Sequence, residues 1–325
     1  MPAVSVNGPA EFVSTIPILL GFHPHRCLVL GSLHGKSDVG ELLHVDIEEA
    51  ARPTAADQLV AALKRHEPDR LLIAVIDDRV FDPAEPTRHQ QLVDALTAGA
   101  RAAGITVQRV VWASGTTDEA IWCTRDDHGT VPDPRSSNLA ASLAVAGHVT
   151  YPSREALAAS LEPDDPEAAA SRVPQLDKPD SHLDRRQAVD AVCDAITRAT
   201  QGHLPETDND FVALGRGLEH DVGRDTALVL TVENPQATRE LWVSLTRALP
   251  APWRARAAVL AAVAAYLTGL GALADVALEA ADRALPEYRL ARLLRQAFNN
   301  AIHPDELRRA IDGAKRWATD EDEER

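Results

Sequence analysis

Along the first half of the chain the spacing of hydrophobic positions alternates between short apolar runs and helical periodicity. Residues 27–30 and 41–47 are apolar runs flanking a Gly-rich polar stretch, which predicts a β-hairpin with a long connection. Residues 54–66 have the helical period. Residues 71–76 are apolar throughout, the pattern of a strand covered on both faces. Helical spacing returns over 87–103, then a strand at 107–113 and another at 120–124 across a Ser-Gly-Thr-Thr turn. Two short helices are predicted at 137–146 and 153–161. The order β-β-α-β-α-β-β-α predicts a mixed sheet with helices packed on it.

The pattern then changes. Residues 162–180 are polar and rich in breakers, including Pro163, Pro166, Pro174 and Pro179, and read as a linker. Beyond it every segment has the helical period: 183–200, 208–220, 224–232, 235–249 and an alanine-rich block at 253–298. The fold class expected is therefore α+β. A mixed-sheet α/β domain spans 1–161, a linker 162–182, an all-helical domain 183–318, and an acidic tail 319–325.

Within the alanine block, Gly269, Ala274, Leu278, Ala281 and Pro286 suit the turn and second helix of a tetratricopeptide-like hairpin. The first-helix positions do not match, and a shift of 34 residues sets small positions on Arg292, Arg295 and Arg308. One repeat-like hairpin is expected, not an array. The stretch 257–274 carries no charge, but alanine dominates it and Gly269 and Gly271 interrupt it, so a turn between two helices is expected and not a membrane span.

Composition narrows the function classes. The formal charge is −16, which argues against a general nucleic-acid binder, because phosphate contact needs a concentrated basic face. Cys27, Cys123 and Cys193 are far apart and lack metal-ligand spacing, as expected of reduced thiols in a cytoplasmic protein. The chain does not open on a secretory signal pattern.

Two segments carry a family resemblance. One is Ile16-Pro17-Ile18-Leu19-Leu20-Gly21-Phe22-His23-Pro24 running into Cys27-Leu28-Val29-Leu30. The other is Gly271-Ala272-Leu273-Ala274-Asp275-Val276-Ala277-Leu278, followed by Arg283-Ala284-Leu285-Pro286. Together they resemble the actinobacterial family of domain of unknown function 4192. His44 stands where that family usually has arginine, and its paired cysteines are missing from residues 124–133. The resemblance implies a cytosolic actinobacterial protein and supplies neither an activity nor catalytic residues.

Candidate chemistry gathers at one predicted sheet edge. If strands 41–47, 71–76 and 107–113 run parallel, their carboxyl ends bring Asp46, Asp77, Asp78 and Ser114 to the rim where the first strand enters with His23 and His25. Carboxylates with imidazoles are the donor set for a divalent cation, which could activate water for hydrolysis. The competing role for these aspartates is capping of turns and helices. Gly31-Ser32-Leu33-His34-Gly35-Lys36-Ser37 has three residues between its glycines where a phosphate loop needs four, and is expected to be a hairpin loop. Cys123, Asp126 and His128 share one short loop, so Cys123 is expected to be structural.

Two functions follow. The first is an adaptor or regulatory module binding a protein segment in a groove of the helical domain, with Tyr266, Ala274, Leu278 and Tyr288 as contact residues. The alternative is a metal-dependent hydrolase or phosphate-handling enzyme at the sheet edge.

Overall fold

The structure, a computed structural model, describes residues 4–323 apart from 36, 37, 53, 66, 84–88, 146, 179–182 and 301. The chain forms two compact units, Met1–Ala156 and Leu157–Arg325.

The first unit is built on a seven-stranded mixed sheet in the order β1-β3-β2-β4-β5-β6-β7. The strands are β1 (Val4–Ser5), β2 (Cys27–His34), β3 (Asp38–Asp46), β4 (Arg70–Ile76), β5 (Thr106–Ala113), β6 (Ile121–Cys123) and β7 (His128–Thr130). Strand β2 is antiparallel to both β3 and β4, and β4 is parallel to β5. Thus β3, β4 and β5 share a direction, as the sequence requires for a common carboxyl rim.

Alternation along β2 and β4 assigns the two faces. Leu28, Leu30, Leu71, Ile73 and Val75 join a core with Leu63 of α3 (Ala55–Lys64) and Leu92 and Leu96 of α4 (Gln90–Ala102). On the other face lies α1 (Pro9–Leu20), buried from Phe12 to Leu20. A Cβ on Gly31 would lie 3.1 Å from the Phe12 ring, so glycine lets α1 approach the sheet. The layers are therefore helix, sheet, helix. That explains why β4 is apolar throughout, since neither face meets water.

The hairpin differs from expectation. Residues 31–34 continue β2, and the connection runs only from Gly35 to Ser37, with Lys36 and Ser37 outside the described residues. Ser32 is buried, so this polar-looking stretch is inside the sheet. Other elements absent from the predicted order are α1, β1, β7 and α2 (Ile47–Ala50). The unit closes with a 3-10 turn (Pro134–Ser136), α5 (Asn138–Val145) and the start of α6 (Arg154–Ala159).

The second unit is helical: α7 (Pro166–Ser171), α8 (Val173–Leu176), α9 (Arg185–Thr200), α10 (Asp208–Glu219), α11 (Asp221–Glu233), α12 (Pro235–Ala248), α13 (Arg254–Leu267), α14 (Gly271–Ala284), α15 (Arg289–Asn299) and α16 (Pro304–Glu323). The segment expected as a linker holds α7 and α8. Asp165 caps α7 with Pro166 in its first turn, a position proline favours, so the breakers there begin helices. Glu162 binds Arg254 at 3.1 Å and Arg283 at 2.7 Å, fastening the segment to α13 and α14.

Helix α13 is buried nearly all round, as a central helix must be. Its alanines let both α12 and α14 pack closely on it. The turn into α14 uses Gly269 at φ 80°, a conformation that suits glycine. Helices α10 and α11 approach closer still: a Cβ on Gly223 would lie 2.1 Å from the Gly217 carbonyl oxygen. Among the described residues no helix is long and apolar enough to cross a membrane.

Candidate functional site

The rim is a single row of paired residues. Cys27 stands opposite Asp46 on one side and Ile76 on the other, and Ile76 stands beside Ala113. Asp46, Asp77, Ser114 and the entry to β2 therefore share one end of the sheet. Strand spacing then separates them. Asp46 on β3 is two strands from β4, about 10 Å, too far for one ion to bridge directly to Asp77.

Each candidate has its own partner. Asp46 caps α2, its Oδ1 accepting from the Glu48 N–H at 2.8 Å. Asp78 and His25 meet at 3.5 Å with both side chains more than half exposed, a pair that water screens. Ser114 belongs to the turn between β5 and β6, its Oγ accepting the Ile121 N–H at 3.0 Å. Arg26 holds Glu48 at 2.9 Å. Among the described residues, no three His, Cys, Asp or Glu side chains converge as a metal-ligating group. The divalent-cation cluster that the sequence suggests is thus divided into capping and paired groups.

Asp77 is different. It is fully buried, and its Oδ2 lies 2.7 Å from His89 Nε2, while its Oδ1 accepts the Arg79 N–H at 3.0 Å. Asp77 follows the last residue of β4, and His89 stands immediately before α4. The His89 backbone is left-handed at φ 63°, an uncommon conformation for a residue with a side chain. Such outliers persist where surrounding contacts over-determine them. Here the contact is the buried carboxylate.

A second pair flanks the end of β4. His23 Nδ1 is 2.9 Å from the Thr116 hydroxyl, and Thr116 is buried. This contact joins the entry to β2 with the exit of β5, the two neighbours of β4. The His23 backbone N–H donates to the Tyr151 carbonyl at 2.9 Å. Burial, reinforced by the Arg135 charge, holds the His23 pKa below its ordinary value, so its imidazole stays neutral near pH 7. Burial, then the Asp46 charge, pushes the Cys27 thiol up, and burial raises Cys123, so neither favours the reactive thiolate.

Sequence reasoning placed Asp77 and His23 at the rim but missed their partners. His89 falls within the helical run at 87–103, and Thr116 within a turn of ordinary composition. A polar stretch between a buried strand and the next helix, ending in histidine, was the available signal. The opposite end of the sheet has a cleft of ≈ 140 Å³ near Gly8, Phe12, Gln108 and Arg109.

The helical candidates are mostly internal. Ala274 and Leu278 are buried in α14, so neither lines an open groove. Small residues there serve close packing between α13 and α14. Tyr266 stacks on Phe298 at 4.0 Å and donates its hydroxyl to the Ile302 carbonyl at 2.6 Å. Tyr288 is half-buried, and burial pushes its phenol up against the opposing charge of Arg224.

No curated protein and no solved structure matches the chain. One family model does, over residues 9–305, which takes in β2 to β7 and α1 to α15. The chain belongs to that family, described as Domain of unknown function (DUF4192).

Proposed function

We propose that the α/β unit binds a small polar molecule at the carboxyl rim and that Asp77 and His89 form its acid–base pair, acting in hydrolysis. The supporting observation is the fully buried Asp77 carboxylate 2.7 Å from an imidazole whose backbone is held left-handed. An ionised carboxylate only accepts hydrogen bonds, so it fixes the His89 proton on Nε2 and leaves the lone pair on Nδ1. Nδ1 is then the atom that takes a proton from water as it attacks, and the carboxylate stabilises the imidazolium that results. Neutral His23 and Thr116 supply hydrogen-bonding groups beside the end of the same strand. Carboxyl ends of strands in open α/β sheets are where such ligands bind.

A panel of chromogenic carboxylic esters and phosphomonoesters tests this reading. The wild-type chain is expected to turn over at least one class. His89→Gln and Asp77→Asn should each lower kcat/KM by about 10²-fold or more, the usual worth of a positioned base. Asp77→Asn retains the side-chain shape while reversing the tautomer, so it separates chemistry from folding. Turnover in neither class, or equal turnover in all three proteins, overturns the proposal.

A further inference from the structure

Strand β5 breaks its own alternation. Leu71 pairs with Val107 but Leu72 pairs with Arg109, so Gln108 is an extra residue, a β-bulge. The packing on either side of it follows from that slip. Val107 and Val110 both pack against the core shared with α3 and α4, although a period of two would put residues three apart on opposite faces. Arg109, beside Leu72, instead borders a cleft on the α1 face together with Val111. Bulges re-aim side chains, and here the side chain delivered is a cation.

The cleft, of ≈ 140 Å³, lies between the start of α1 and the amino ends of β4 and β5. Its floor is apolar: Phe12, Leu33, Leu72 and Val111, all buried. Gly31 helps to set that floor, since it stands opposite Leu72 and its missing side chain lets the Phe12 ring lie against the sheet. The rim is polar, and its Asn7, Gln108 and Arg109 are exposed, so solvent reaches it. Among the described residues the Arg109 guanidinium makes no hydrogen bond, ion pair or ring contact, and the Asn7 and Gln108 side-chain amides make no hydrogen bond.

An exposed arginine on a flat surface would be an ordinary solvated cation. Arg109 differs in bordering a recess floored by hydrocarbon, which suits a molecule with a charged end and an apolar body. Size and charge narrow the choice. A cavity of about 150 Å³ takes a benzene-sized body. One guanidinium presents a fork of donors that fits a carboxylate. Glu11, in the first turn of α1, accepts the Asn7 N–H at 2.8 Å, so a second negative charge brought to this rim meets repulsion. A monoanion is favoured over a phosphate dianion.

We propose that this cleft binds a small monocarboxylic acid with a benzene-sized apolar body, the body lying on the Phe12, Leu33, Leu72 and Val111 floor and the carboxylate meeting Arg109. The site is at the end of the sheet away from Asp77 and His89, and it stands whether or not that pair is catalytic.

Titration of the whole chain with benzoate, and with benzamide as a neutral molecule of the same shape, tests the site by amide NMR. In the wild type the Gly8 and Arg109 amide signals should shift saturably with benzoate. The Kd for benzamide should be about tenfold higher, the worth of a charge-assisted hydrogen bond. Arg109→Gln, a change at an exposed position, should raise the benzoate Kd to that of benzamide and leave benzamide binding unchanged, read at Gly8. Inorganic phosphate at matched ionic strength should not displace benzoate. No saturable shift with benzoate, equal wild-type affinity for benzoate and benzamide, an undiminished preference in Arg109→Gln, or displacement by phosphate overturns the proposal.

Discussion

Trp242→Ala is expected to destabilise the helical unit by about 3–5 kcal/mol, the range for deleting a large buried aromatic side chain. Trp242 is fully buried, and its Nε1–H donates to Thr231 Oγ1 at 2.7 Å. Thr231 is buried too and passes its own proton to the Ala227 carbonyl at 2.7 Å. The substitution therefore opens a cavity and removes a hydrogen bond between α12 and α11. Trp242→Phe fills most of the space and loses the bond alone, for about 1–2 kcal/mol. Urea unfolding followed by far-ultraviolet circular dichroism measures both. A helical transition at the same midpoint in Trp242→Ala would contradict this account of the packing.

Asp77→Ala should cost about 3 kcal/mol, because the substitution withdraws a buried hydrogen-bonded anion from two donors at once. The Arg79 amide and the His89 ring both lose their partner, and the left-handed backbone at His89 loses the contact that holds it. The loss should be local before it is global. Amide hydrogen exchange is expected to quicken first at Arg79, Val80 and the opening turn of α4, with the amides of β2 still protected. Unchanged exchange in that turn would show that Asp77 does not hold it. The same experiment on Asp77→Asn, which keeps an acceptor for Arg79, should show a smaller change.

Hydrophobic spacing made β4, α3, α4 and β5 legible because their side chains face fixed layers with fixed periods. It also made the rim legible, since strand directions alone bring Asp46, Asp77 and Ser114 to one end. It could not show that the rim divides into separate pairs. That depends on the width of β2 between β3 and β4, and on His89 folding back across twelve residues to meet Asp77. Residues 31–34 look like a turn by composition, yet Gly31 is there for the Phe12 ring and Ser32 is buried. Helix α1 escaped because Pro17 lies inside it and it ends on an unbroken apolar run from Ile16 to Leu20, which erases an amphipathic signal. The alanines of α13 and α14 predicted close helix contact correctly. Small residues read the same whether they line an open groove or a filled one, and here Ala274 and Leu278 are filled in.

The place of Cys27 gives the chain a built-in clock. It stands between Asp46 and Ile76 in the row that continues to Ala113, its thiol closed off from solvent, whereas Cys193 on α9 is only partly covered. An alkylating reagent can reach Cys27 only when the layer covering that face of β2 opens, so its labelling rate records how often the unit breathes.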